Sequence, residues 1–181
     1  MVEVTITFLA LLALVALAVA VIVFPRTRRL AAADDSLLSR HARELAATIA
    51  VVATLGSLFM SEIAGFVPCL LCWVQRGFMY PLAVALWFNG RLKVPSLWLS
   101  TWALAGGVIS AYHYAEEHIP ALARSTFCGP EIPCSLIWFE RFGFVTLPFM
   151  AFCGFAAVAT LMLLDHRRAK EEALVPSGRE T

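Results

Sequence analysis

The sequence predicts an all-α integral membrane protein with five transmembrane helices. Three observations carry that expectation. Of the 181 residues, 60% are hydrophobic and only 15% are charged, whereas soluble domains run to about 45–50% apolar and about 25% charged. The mean hydropathy is +0.78. The apolar residues also gather into nearly charge-free stretches of about 20 residues, the length a helix needs to cross bilayer hydrocarbon. Strand-type alternation over about 10 residues is absent, which disfavours a β-barrel. Disorder is excluded, since disordered chains are polar and charge-rich. The net charge is +1, from 14 basic and 13 acidic residues, so there is no basic footprint for nucleic acid.

The first stretch, Val4 to Phe24, is 21 residues without a charge. Arg26, Arg28 and Arg29 follow it, whereas a signal peptide carries its positive charge ahead of the apolar run. An uncleaved anchor is therefore expected. Residues 25–44 are polar and are expected to form a cytoplasmic turn or short amphipathic piece. The second stretch runs from Leu45 to about Gly65, broken only by Glu62. The third ends at Phe88, and counting back about 20 residues starts it near Cys69 or Leu70, with Arg76 inside. The fourth, Val94 to Ala115, contains Ala105-Gly106-Gly107, small enough for close helix approach. The fifth, Phe142 to Leu164, holds Pro148, an expected kink. The charged tail 165–181 is expected to fray.

Lysine and arginine set the orientation, because short cytoplasmic loops carry them in excess. Segments 25–44, 89–95 and 165–181 lie on one side of a five-span chain and hold 11 of the 14 basic residues. Arg76, Arg124 and Arg141 are the others. The expected topology has the N-terminus outside and the C-terminus cytoplasmic. The loops around residues 66–70 and 116–137 are then outside as well.

Four of the five cysteines fall in those outer loops: Cys69 and Cys72, and Cys128 and Cys134. Outside is the compartment where disulfides persist, so two separate pairs there suggest thiol–disulfide chemistry. Cys69, Cys72 and Arg76 are spaced i, i+3, i+7, one face of a helix. At a helix start, unpaired N–H groups and a nearby cation favour a thiolate. Cys72, one turn from Arg76, is the expected thiolate. Arg76 itself sits about 9 Å below the helix start, and an ionisable group at that depth suggests a site. The alternative is an arginine that snorkels to the head groups. Cys128 and Cys134 flank Gly129, Pro130 and Pro133, which can bring them within disulfide reach, as a redox pair or as a structural staple. A Cys₄ zinc site is the weaker reading, because C-x₅-C is not a knuckle spacing; no metal is expected. Cys153, in mid-span, reads as packing. His113 reads as a proton-transfer group or a packing residue. Glu62 is a candidate partner for Arg76, or an interfacial carboxylate. The tryptophans near the membrane edges fit an aromatic belt.

The run from Ser61 to Arg76, with Pro68-Cys69-Leu70-Leu71-Cys72-Trp73-Val74-Gln75-Arg76 at its end, resembles the DsbB family of disulfide bond formation proteins. So do Met79 to Leu82, Ser110 to Tyr114, Pro133-Cys134 and Phe142 to Phe149. The wording is nearest to the short BdbC-type branch. The resemblance covers about residues 45–165. It implies a four-helix transmembrane bundle of the DsbB type, here with one extra N-terminal helix and linker (1–44) and a charged tail (166–181). It implies an enzyme of the bacterial inner membrane that reoxidises a DsbA-like thioredoxin-fold oxidase and passes the electrons to ubiquinone or menaquinone. Cys69 and Cys72 would be the quinone-proximal pair, Cys128 and Cys134 the partner-facing pair, and Arg76 and His113 the quinone-binding residues. Two competing readings remain: a membrane scaffold or transporter with structural loop disulfides, and an oxidoreductase running in the reducing direction. A vitamin K epoxide reductase-like enzyme ranks lower, because there the membrane-edge pair follows the loop pair.

Overall fold

Apolar stretches in a chain with few strand signals are expected to satisfy their backbone groups internally, as helices, and they do. A computed structural model describes residues 2–32, 37–88, 92–119, 122, 128 and 133–174. The elements are α1 (Val2–Val23), a 3₁₀ turn (Phe24–Arg26), α2 (Thr27–Ala32), α3 (Leu37–Arg40), α4 (Ala42–Leu58), a π-helical turn (Phe59–Ile63), α5 (Leu70–Trp87), α6 (Ser96–His118) and α7 (Leu147–Leu174). Among the described residues there is no sheet, only an isolated bridge between Arg141 and Val145. Arg91, Arg124, Arg179, Gly129, Pro130 and the stretch 33–36 lie outside the described residues.

Each expected apolar stretch is largely helical, but among the described residues three helices, not five, are long and apolar enough to cross a membrane. They are Val2–Ala31 (mean hydropathy 3.1), Ala42–Ile63 (1.7) and Leu147–Leu174 (2.1). α5 and α6 fall outside that group because they carry the polar interior. Gln75 of α5 and Ser96, Ser100, Ser110, His113 and Glu116 of α6 are all buried. The molecule is thus an all-helical, membrane-apolar bundle whose polar side chains are turned inward.

Two boundaries differ from expectation. Pro148 does not kink a helix; it stands in the first turn of α7, where proline's missing N–H costs nothing. The residues before it form a tight turn instead, with Phe142 (φ 56°) and Gly143 (φ 77°) in the left-handed region. At the other end, α7 continues through the charged residues to Leu174 rather than fraying at 165.

α7 is the axis of the bundle and packs against α1, α4 and α6. Gly106 of α6 lets the Phe155 ring lie against its backbone, and a Cβ there would overlap that ring. Ser100 Oγ donates to the Ala159 carbonyl at 2.9 Å, and Trp102 Nε1 donates to the Phe78 carbonyl at 3.0 Å. At the end of the bundle bearing the α7 tail, Arg43 and Ser96 both donate to Asp165 Oδ2, at 2.6 and 2.5 Å. α1 is tied near its start by an ion pair of Glu3 with Arg141, and α2, which follows it, by a hydrogen bond from Arg167 to Thr27.

Candidate functional site

Pro68 breaks the chain just before α5, and Cys69 takes an extended backbone (φ −71°, ψ 175°) as its N-cap. The Cys69 sulfur accepts the Cys72 N–H at 3.3 Å and lies 2.9 Å from the Cys72 sulfur. The two are free thiols. The group that receives the helix N–H is therefore Cys69, and the thiolate expected at Cys72 is better supported at Cys69. Arg76 does not turn to a sulfur either. Its Nε donates to Ser57 Oγ at 2.9 Å, its terminal nitrogen donates to the Ser57 carbonyl at 3.0 Å, and its guanidinium lies over Trp73, 5.2 Å from the ring centre.

Cys128 and Cys134 form a disulfide, with Cα atoms 5.7 Å apart. This pair packs against the first: Cys69, Cys72, Cys128 and Cys134 belong to one apolar cluster with Leu71, Ile109 and Tyr112. His113 of α6 bridges the two pairs. It is 2% exposed. Its Nε2 donates to the Cys134 carbonyl at 3.1 Å and stands 3.6 Å from the Cys69 sulfur. The Gln75 amide meets its Nδ1 at 3.1 Å. Those partners assign the proton to Nε2. Glu116, one turn further along α6, accepts a hydrogen bond from Tyr112 at 2.9 Å and places a carboxylate oxygen within 4.8 Å of both disulfide sulfurs.

On the other side of α5 opens an apolar cleft of about 440 Å³, within the range of small-molecule sites. Cys72, Gln75, Arg76 and Tyr80 line one part of it, and Met79, Phe66 and Trp138 adjoin them. Phe66 and Trp138 are stacked at 5.3 Å. Cys69 and His113 are not among its lining residues. The CxxC is thus two-sided: Cys69 faces His113 and the loop disulfide, whereas Cys72 faces the cleft.

The other polar residues have plainer settings. Glu62 is exposed and accepts from Ser61 at 3.0 Å, so Arg76 meets Ser57 in its place. His118 is exposed and bonded to the Tyr114 carbonyl. Cys153 is fully buried in α7. Glu117, past the apolar part of α6, is partly buried, and this burial raises its carboxyl above the usual range. Ser57, Gln75 and Glu116 are site residues that sequence reasoning passed over. For Gln75 there was a signal, a polar side chain inside a span; Ser57 carried none.

A membrane-embedded helical bundle that packs two cysteine pairs into one cluster is a disulfide oxidoreductase by class. The chain belongs to the DsbB family: the family described as disulfide bond formation protein DsbB matches residues 39–132. That match takes in Cys69, Cys72, Arg76, His113 and Cys128, and stops before Cys134. The chain is similar to disulfide bond formation protein C of Bacillus subtilis (strain 168), 40% identical over 119 residues, 64% of this chain and 86% of that one. It is also similar to the probable disulfide formation protein C of Halalkalibacterium halodurans, 42% identical over 121 residues, 64% and 85% of the two chains. The probable disulfide formation protein of Coxiella burnetii (strain Dugway 5J108-111) is 35% identical over 145 residues, 74% of this chain and 96% of its own. No solved structure matches the chain.

Proposed function

We propose that this protein reoxidises a thioredoxin-like extracytoplasmic dithiol oxidase and delivers the electrons to a membrane quinone. The observation that carries the proposal is the two-sided CxxC, with Cys69 against the loop disulfide through His113 and Cys72 in an apolar cleft with Arg76. The residues present suit a quinone: the cleft is apolar, yet holds a guanidinium, a phenol and a thiol close together. Bound there, a quinone would accept two electrons and two protons from the Cys69–Cys72 dithiol and return it to the disulfide. Arg76 would hold it by a carbonyl oxygen, as a donor placed where negative charge develops.

The exchange steps belong to the chain's own sulfurs. A partner thiolate attacks Cys128, the Cys128–Cys134 bond breaks, and Cys134 leaves as thiolate. The partner's second thiolate displaces Cys128, so the partner leaves oxidised and the loop pair holds two more electrons. With Cys69 and Cys72 joined, the Cys134 thiolate attacks Cys69 and Cys72 leaves as thiolate into the cleft. Cys128 then displaces Cys69 and restores the loop disulfide. His113, between Cys69 and Cys134, is placed to stabilise the sulfur anions and carry a proton. A strong dithiol oxidant has a potential near −120 mV, so its regeneration needs an acceptor more oxidising still, which a quinone supplies.

In this reading residues 45–165 are the redox unit, in the bacterial inner membrane. With the less apolar α5 and α6 counted as spans beside the three membrane-length apolar helices, the chain crosses five times, with the N-terminus and both cysteine loops outside and the tail cytoplasmic. The test combines purified protein, a reduced DsbA-like partner and quinone. Oxidised partner and reduced quinone are expected in equal amounts, and Cys72→Ser should abolish both with the fold intact. Turnover by that variant would remove the proposal, and a partner that stays reduced would favour the reducing direction.

A further inference from the structure

The family match starts at residue 39, after α1 has ended, yet α1 forms part of the cleft. Leu9, Leu12, Ala13, Val15, Ala16 and Val19 line it, at spacings of 3, 1, 2, 1 and 3, one broad side of a helix. They provide about 15 Å of wall at 1.5 Å per residue. Leu9 packs on Gly56 of α4, next to Ser57, which holds Arg76. The far wall is α4, from Gly56 back to Leu45, with Thr48 the single hydroxyl among the residues of that stretch that line the cleft.

The cleft is therefore amphiphilic along its length. Cys72, Gln75, Arg76, Tyr80 and Ser57 gather at one end, and the remainder runs down α1 and α4 among alkyl side chains. That is the shape of a ligand with a compact polar head and a long apolar tail. α1 is held across the groove by the Glu3–Arg141 pair near its start and by the Arg167–Thr27 bond at the start of α2, just beyond its end, while Phe8, Leu11 and Ile22 on its outer face stay exposed.

We infer that α1 is a built-in wall of the quinone site, and that its Leu9–Val19 face binds the isoprenoid tail and selects for tailed quinones. The inference rests on the quinone reading of the Cys72–Arg76 end. Binding is measured by equilibrium titration of the purified full chain with menadione and its tetraprenyl derivative. The dimethoxy-methyl benzoquinone, with and without a decyl tail, is titrated alongside. Ala16→Phe, which fills the groove, should raise the Kd of the tailed compound about tenfold, a change of about 1.4 kcal/mol, and leave the tail-less one unchanged. Leu12→Ala, which removes wall rather than adding bulk, should weaken the tailed compound alone. Leu11→Phe, on the outer face, should change neither. Circular dichroism and the intact Cys128–Cys134 disulfide report that each variant is folded. Equal weakening of both compounds, no weakening of either, or a groove that binds phospholipid in preference to the tail would overturn the inference. If the unaltered protein binds no quinone of either ring type, the functional reading falls, and this inference with it. If it binds tailed and tail-less compounds equally, only this inference falls.

Discussion

The Nε2 of His113 lies 3.6 Å from the sulfur of Cys69. The same nitrogen donates to the Cys134 carbonyl, so one imidazole touches both cysteine pairs. His113→Ala is expected to slow electron transfer from Cys128/Cys134 to Cys69/Cys72 by about 100-fold, the usual scale for a positioned acid–base group. Partner attack on the loop disulfide should keep its rate. Rapid quench with alkylation, counting free thiols at each pair, separates the two steps. An unchanged inter-pair rate would reduce His113 to packing.

Arg76 is oriented by Ser57 through a side-chain and a backbone acceptor. Ser57→Ala removes the first and leaves the second. Quinone KM should rise about threefold to tenfold, the scale of one ordinary hydrogen bond, with kcat nearly kept. Arg76→Met should raise KM further and lower kcat as well. Steady-state kinetics at several quinone concentrations distinguish these outcomes.

Gly106 has no room for a methyl group, because the ring of the fully buried Phe155 occupies that space. Gly106→Ala should destabilise the bundle by about 1–3 kcal/mol, the range for overpacking. Phe155→Leu in the same chain should recover part of that loss. Thermal unfolding in detergent, followed by circular dichroism, measures both.

Glu117 gives a pH signature. Burial raises its folded-state value above the ordinary 4.5, so between the two values the folded chain binds more protons than the unfolded one. Stability from this group is full at low pH and declines as pH rises through that window. Glu117→Gln, which stays neutral, should raise the thermal midpoint at pH 8 and leave it unchanged at pH 4. Equal shifts at both pH values would contradict the sign.

Much of the site was legible because it is local. Spacing alone put Cys72 and Arg76 on one side of α5, and the helix start was marked by Pro68, but it did not show that Cys69 turns away from them toward His113. The contacts of Arg76 were not legible, since Ser57 is 19 residues away and nothing in its neighbourhood announces it. The same holds for His113, whose partners Cys69 and Cys134 are 44 and 21 residues distant. Pro148 was misread because proline ends, kinks or begins a helix, and only the positive φ values at Phe142 and Gly143 decide which. Composition also concealed why α5 and α6 are less apolar than their neighbours. Hydropathy averages around the helix, whereas burial puts Gln75, Ser110 and His113 on the inner side.

Cys69 is 6% exposed and backs onto His113, and Cys72, three residues on, opens to the apolar cleft. A bond between these two sulfurs would have its two ends in different surroundings, one against the loop disulfide and the other at the cleft. Under the proposed function, the loop-pair thiolate would reach Cys69 from one side and the quinone would reach Cys72 from the other. One helical turn would then keep the two reactants apart by position alone.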